Sequence, residues 1–314
     1  MSRKTICQAA AGLTVALLMG TNHTLAAEKL GASLPLTQGP FFTAQIYGMT
    51  EEAKKLGYDL VVLDAGGYGK VDKQVSDVEN LMAQKVKAIL LNPADPTSFT
   101  GVLSEAKSNH VPVVGAGVPF AGSDGSVSPS HCEIGKALAE GAKTLLPNGG
   151  QLAALVGPAG GFWATERWRC FKEQIANTKI QIVAEQASEP DAAVGLSIAT
   201  DILQRFPTVQ VLYGADDTVG VGAARAVQAN GACGKVKVLT AVLGDTTEEL
   251  MKAGCVDYVV ALQVVQIGRQ SVEMADKLIK GGKLETKDLV VPVVPVTPKN
   301  LSSVDLSTIR QPAH

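Results

Sequence analysis

From Lys29 onward, short continuous apolar runs alternate with stretches in which apolar residues recur every three or four positions. The runs "YDLVVLDA", "KAILLNP" and "VPVVGAG" have strand length and show no one-sided alternation, so each predicts a strand covered on both faces. Between them, "KVDKQVSDVENLMAQKV" places Val71, Val75, Val78, Leu81 and Met82 on one helical stripe, and a further helix is predicted near Thr97 to Asn109. An earlier helix opens at Phe41 and Phe42, with a stripe of Phe42, Ile46, Met49, Ala53 and Leu56. This is the pattern of repeated βα units and a mostly parallel sheet.

The polar segment "GSDGSVSPSH" interrupts the series, which then restarts with a helix near Glu133 to Leu146. The strands "QLAALVG", "IQIVAEQ", "VQVLYGA", "KVKVLTAVLG" and "VDYVVALQ" follow, separated by helical stretches. The segment reads as a crossover between two lobes. The fold class is therefore α/β, and two doubly wound parallel-sheet lobes of about five or six strands each fit better than one sheet of about eleven.

Ligands of such sheets sit beyond the carboxyl ends of the strands, so the informative residues lie in the loops that follow them. Among these, "GPAGG" lacks the lysine of a phosphate-binding loop and "GAGVPF" lacks the third glycine of a dinucleotide fingerprint. Gly220, in "GVGAA", falls inside a helix and is assigned to close packing. There is no nucleophile elbow, no Cys-x-x-Cys, and no metal-ligand spacing among His110, His131 and His314. Neither enzyme chemistry nor a cofactor or metal is expected.

Composition narrows the reading further. A chain of 314 residues, 46% hydrophobic and 18% charged, builds a substantial core, and its net charge of -2 offers no basic field for nucleic acid. Arg3 and Lys4, the apolar run from Ala9 to Gly20 and the small residues of "TLAA" predict a cleavable secretory leader over residues 1–27. That run is too short to span a bilayer, so no membrane insertion of the mature chain is expected. With Cys7 in the leader, Cys132, Cys170, Cys233 and Cys255 remain. Cys233 and Cys255 both stand just before a strand, at one edge of a parallel sheet, and are the favoured disulfide pair against four buried thiols.

Both tryptophans of a chain only 4% aromatic lie in "VGPAGGFWATERWRC". Trp163 directly follows a strand and is read as a stacking face, with Arg167 one turn later as a forked donor and Trp168 as core. Phe41 lies off its helix's buried stripe and can face a ligand. Of Asp216 and Asp217, which head a helix, N-capping accounts for one and leaves the other free.

Taken in order, "PFFTAQIYGMTEEAKKLGYDLVVLDA", "DKQVSDVENLMAQKVKAILLNPADP", "VPVVGAG" and "QIGRQSVEMADKLIKG" resemble the type I periplasmic solute-binding proteins, the sugar-binding components of ABC importers. The resemblance spans nearly the whole mature chain. It implies two lobes joined by three hinge crossovers, the first of residues 28–127 plus 264–288 and the second of 128–263 plus 289–314. It implies a periplasmic monomer that captures a sugar, polyol or similar small solute and presents it to a permease. By the family pattern the cleft holds Phe41, Phe42, Tyr68, Trp163, Arg167, Asp216 and Gln263. Two hydroxyl-gripping aspartates of sugar binders are missing: Gly117 stands at one position, and near Val242 and Leu243 the nearest carboxylate is Asp245. "LDAGGYGK" and "VTPKN" are similar instead to the TorT branch, which implies as the alternative a sensor of trimethylamine N-oxide partnered by a membrane histidine kinase. The aromatic pair Phe41 and Phe42 lacks the polar tips expected of that sensor.

Overall fold

The computed structural model describes residues 27–312; of the leader predicted over 1–27, all but Ala27 lies outside the described residues, as does His314. The first series of elements is β1 (Glu28–Leu34), α1 (Pro40–Leu56), β2 (Tyr58–Asp64), α2 (Val71–Ala83), β3 (Ile89–Leu91), α3 (Thr100–Ser108), β4 (Val113–Ala116) and β5 (Gly125–Ser128). The second is α4 (His131–Leu145), β6 (Gly150–Leu155), α5 (Phe162–Ile175), β7 (Ile180–Gln186), α6 (Ala192–Arg205), β8 (Val211–Gly214), α7 (Asp217–Ala229), β9 (Lys237–Ala241), α8 (Asp245–Lys252) and β10 (Tyr258–Leu262). The chain then returns through α9 (Val264–Ile279), β11 (Asp288–Val290) and β12 (Val293–Val296).

The strands form two six-stranded sheets, ordered β11-β5-β4-β3-β1-β2 and β12-β10-β9-β8-β6-β7. The first is parallel throughout, and the second is parallel except where β12 pairs antiparallel with β10. Strand order reverses between β1 and β3 in the first sheet and between β6 and β8 in the second. Loops leaving the two strands diverge at such a point, which opens a crevice beyond their carboxyl ends.

"GSDGSVSPSH" is not wholly a crossover. Its Gly125–Ser128 portion is β5, buried along its length, and the crossing itself is confined to Pro129 and Ser130. The strand signal is masked because Gly125 lies under α9, where a Cβ would stand 2.6 Å from the Met274 sulfur, and because Ser126 and Ser128 leave Val127 as its one apolar side chain.

Both faces of each sheet are covered. In the first lobe, Leu30, Leu90 and Val114 pack against Met49 of α1 and Ile267 of α9, while Ile89 and Leu91 face Val78, Leu81 and Val102 on α2 and α3. In the second, Leu152 and Tyr213 meet Leu138, Trp168 and Phe171 on α4 and α5, and Leu212 meets Ile202, Val227 and Leu250 on the opposite face. Trp168 is core: its ring stacks on Phe171 at 5.1 Å and lies 5.0 Å from Tyr213. The buried stripes of α1 and α2 depart from the expected ones, since Gln45, Glu52, Gln74 and Asp77 are buried and Ile46, Val71 and Val75 only half so.

Close helix contacts run through glycine. A Cβ at Gly48 of α1 would stand 2.2 Å from the Val265 carbonyl oxygen of α9, and one at Gly222 of α7 would stand 2.4 Å from the Ala192 carbonyl oxygen of α6. Gly220 serves the same purpose against Thr240 of β9, 2.3 Å away. Two disulfides add covalent closure: Cys233–Cys255 spans 22 residues, and Cys132–Cys170 ties α4 to α5 across 38. Loops of that size correspond to about 3–4 kcal/mol each in the chain-entropy treatment.

The α1 and α9 contact makes one prediction. Gly48→Ala forces the helices apart and is expected to destabilise the fold by about 1–3 kcal/mol, lowering the thermal midpoint by several degrees in a calorimetric scan. An unchanged midpoint would show that the contact is not tight.

Candidate functional site

The loops beyond the carboxyl ends of β1, β3 and β4 meet those beyond β6, β8 and β9 around a cavity of about 320 Å³. From the first lobe, Pro40 begins α1 without a side-chain cap and sets Phe41 and Phe42 at the rim, their rings edge to face at 5.2 Å. Phe42 is buried beneath the rim, whereas Phe41 is half-buried. Tyr68 comes from the turn after β2, where the amide of Gly66 donates to the Asp64 carboxylate and that of Gly67 to the Pro35 carbonyl. The turn carries the Tyr68 ring to within 6.2 Å of Trp163 on the other lobe.

Beneath these rings lies a buried amide network. Gln74 donates to the Asn92 carbonyl and accepts from the Ala94 amide, while Gln45 donates to the carbonyl of Ala116 at 3.0 Å. These contacts hold Asn92 and the end of β4 against the cavity. Neither glutamine was singled out in the sequence, because each sits among apolar residues at helical spacing.

Gly117 follows β4 with φ of 102°, a region that other residues rarely adopt, and a Cβ there would stand 2.8 Å from Asn92 Nδ2 and 3.4 Å from the tip of the Phe41 ring. The aspartate of sugar binders has no room at this position. On the facing lobe Val242 lines the cavity with φ of 68°, a strained conformation for a β-branched residue. Asp245, the nearest carboxylate in sequence, does not fill the gap: it is exposed at the start of α8 and pairs with Arg310.

The second lobe supplies the charged wall. Gly157 lies two residues past β6 with φ of 86°, and its missing Cβ leaves space for Ala164 at 2.8 Å and the Trp163 ring at 3.2 Å. Trp163 is 7% exposed, and the Arg167 guanidinium lies 4.7 Å above its ring while Nη1 donates to the Ala215 carbonyl at 2.8 Å. The disulfide from Cys132 to Cys170 braces this helix against α4, which presents His131 to the cavity. Asp216 is the N-cap of α7, accepting from the Val219 amide and the Thr218 hydroxyl. Asp217, the next residue, also lines the cavity, and its Oδ2 is buried without a partner.

Six of the seven residues expected in the cleft line this cavity: Phe41, Phe42, Tyr68, Trp163, Arg167 and Asp216. Gln263 does not. It precedes α9 at a crossing between the lobes, and its side-chain amide donates to the Pro292 carbonyl at 2.9 Å in the next crossing. Asn92, His131 and Asp217 were missed; the doubled aspartate was the one available signal, and it pointed to either residue.

Burial dominates the electrostatics. His131 is pushed down to about 3, by desolvation first and the Arg167 charge second, so its ring is neutral. Burial also lowers Arg167, against the pull of Tyr213 and Asp216. Asp217 is raised well above an ordinary carboxyl, by burial first and then by the charge of Asp216. Such a cavity offers aromatic faces, a fixed cation and unsatisfied donors and acceptors, and it sits between two lobes. Those features define a two-lobed binding protein.

The chain belongs to the periplasmic binding protein family: the family model described as "Periplasmic binding protein domain" matches residues 30–283. It is 30% identical over 279 residues to the ribose import binding protein of Salmonella typhimurium, covering 84% of this chain and 89% of that one. It is 26% identical over 287 residues to the D-allose-binding periplasmic protein of Escherichia coli, covering 87% and 91%. Among solved structures it is similar to an ABC transporter solute-binding protein from Agrobacterium vitis with bound D-fucose, at a TM-score of 0.85 and 23% identity, covering 90% of this chain and all of that one. Among the described residues no helix is long and apolar enough to cross a membrane.

The depressed His131 has a signed consequence. Its folded value lies below the unfolded value of 6.5, so its contribution to stability is complete above pH 6.5 and is lost as pH falls toward 3. The slope from this one group is about 1.4 kcal/mol per pH unit. His131→Phe keeps a ring against Phe162 and removes the titration, so urea unfolding of this variant should lose less stability between pH 6.5 and 4 than the parent does. Parallel curves would mean that His131 titrates alike in the folded and unfolded chain.

Proposed function

We propose that this protein is the binding component of an ABC importer, secreted to the periplasm through a cleaved leader, and that it captures a small polar solute without altering it. The observation that carries the reading is a cavity of about 320 Å³ whose walls come from both lobes. That size lies at the small end of the ~300–1,000 Å³ range of small-molecule sites, which suits a solute of monosaccharide scale.

A solute touching both walls favours the closed arrangement in proportion to the contacts that exist only there, and a permease that recognises the closed shape thereby reads occupancy. Phe41, Tyr68 and Trp163 supply apolar faces for a ring or carbon chain. Arg167, Asp216, Asn92 and His131 supply polar partners. Both relatives compared above carry sugar-binding names, which supports import over pairing with a membrane histidine kinase.

The test is a thermal-shift screen of the mature protein with ribose, allose, fucose, arabinose, myo-inositol and glycerol. A ligand of the native state raises the midpoint with concentration. For the compound with the largest shift, Trp163→Ala should weaken binding at least about tenfold, the loss expected when an aromatic face and its buried area are removed.

Arg167→Met should separate stability from function. A buried charge with one hydrogen bond costs desolvation that an apolar side chain of similar length avoids. The variant's unliganded midpoint is expected to be equal to the parent's or higher, while its ligand-induced shift disappears. A full shift in both variants would remove the cleft from the binding role.

A further inference from the structure

The charged groups lining the cavity are Arg167, Asp191, Asp216 and Asp217, one cation against three carboxyl groups, and all stand on the second lobe. Arg167 does not balance them by contact. Its guanidinium lies over Trp163 and donates to the Ala215 carbonyl, and among the described residues no ion pair joins it to either Asp216 or Asp217.

The three carboxyl groups differ in what they still need. Asp191 receives the amides of Ala193 and Val194 at the start of α6, and Asp216 receives the Val219 amide and the Thr218 hydroxyl. Asp217 is 3% exposed, and its Oδ2 has no donor. It lies where the lobes meet, since that oxygen is 3.1 Å from a Cβ position at Gly244, which in turn is 2.9 Å from Pro40 at the start of α1. His131, 7% exposed, faces the same cavity beside the Gly117 main chain, and neither ring nitrogen makes a well-formed hydrogen bond.

Burial and the neighbouring Asp216 hold the Asp217 carboxyl toward its neutral form, and a sugar hydroxyl at Oδ2 would bring no charge to change that. A charged donor supplies the hydrogen bond and the charge together, and a buried carboxylate favours it for that reason. Among the described residues, the first lobe opposite brings no charged group to the cavity: its polar lining residues, Gln38, Tyr68 and Asn92, are set among Phe41, Gly117 and Val118. The neutral imidazole of His131 suits a hydroxyl, as either donor or acceptor.

We propose that the solute carries a protonated amine together with one or more hydroxyls, and that Asp217, with Asp216 beside it, receives the ammonium group. The class is an amino sugar, an amino polyol or a similar hydroxylated amine. This rests on the import reading above, and it adds the charge of the cargo.

The experiment compares matched pairs that differ by one hydroxyl or ammonium group: glucose with glucosamine, galactose with galactosamine, sorbitol with glucamine, and glycerol with 3-amino-1,2-propanediol. Glucuronate and galacturonate complete the panel. Mature protein is screened by thermal shift, and every compound that raises the midpoint is titrated by calorimetry.

In at least one pair the amine should bind about tenfold or more tightly than its alcohol, the margin of one charge-assisted hydrogen bond. Asp217→Asn should cancel or reverse that preference, while Asp245→Asn, an exposed carboxylate outside the cavity, should leave it intact. Circular dichroism of both variants checks the fold. If alcohols bind as tightly as their amines in every pair that binds, or if the uronates bind tightest, this proposal falls and the import reading stands. If no compound binds, both fall.

Discussion

The guanidinium of Arg167 is kept in the interior by one carbonyl oxygen and one indole face, and the second lobe's half of the cleft is arranged around keeping it there. A buried cation is tolerated only where its hydrogen bonds and its neighbours' charges offset desolvation. The carbonyl is that of Ala215, at the end of β8, so the same contact ties α5 to the strand that leads into Asp216 and Asp217. Helix α4 closes from the side: Gly135 leaves no space for a Cβ against the Arg167 carbonyl oxygen, 2.1 Å away, and the disulfide from Cys132 to Cys170 fixes the pair one turn on. His131 is neutral in part because it faces that cation. Trp163, Arg167, His131 and the two aspartates are therefore one unit, held by backbone and covalent contacts that exist whether or not a solute is present.

The two walls contribute unlike things. The first lobe presents Phe41, Tyr68, Gly117 and Val118 over a hidden amide network, and the second presents all the charge. A solute that entered an open cleft could find its charged partners on the second lobe alone. Closure of the first lobe would then cover its apolar side and exclude water, which strengthens the polar contacts already made. Closure of an uncharged wall over a charged one suits a cargo that carries its charge at one end.

The architecture was legible because parallel strands covered on both faces write themselves as continuous apolar runs, and the helices between them keep their period. Where a strand is paid for by other means, the signal vanishes. β5 keeps one apolar side chain, Val127, against α9, where Gly125 stands too close to Met274 for a Cβ, and its two serines alternate to the other face, so its sequence resembles a loop. The stripes of α1 and α2 were blurred for a different reason: Gln45, Gln74, Glu52 and Asp77 are buried, and a polar residue inside a helical pattern is indistinguishable from a solvated one until its partner is known. Trp163 and Arg167 could be found because a rare aromatic residue at the start of the helix that follows a strand, with a cation one turn on, has few other roles, although Trp163 stands eight positions past the end of β6. Asp217 could not be told from Asp216, since one carboxylate caps the helix and only backbone geometry decides which. Cys132 and Cys170 gave no hint of pairing, because nothing in their spacing shows that α4 and α5 pack side by side.

Gln263 is the instructive displacement. A polar residue directly after a strand satisfies the same rule that located Asp216, yet its side chain reaches away from the cavity to the Pro292 carbonyl. The reason lies in where the chain crosses between lobes: at Pro129 and Ser130, at Gln263, and at Val291 and Pro292. The Val291 amide donates to the Ser128 carbonyl, so the third crossing is bonded to the first, and Gln263 bonds it to the second. Three separate strands of chain would each bend on their own and let the lobes twist. Braced to one another through main-chain carbonyls, they would bend together about a common axis, and such an axis would return the Trp163 wall to the same position opposite Phe41.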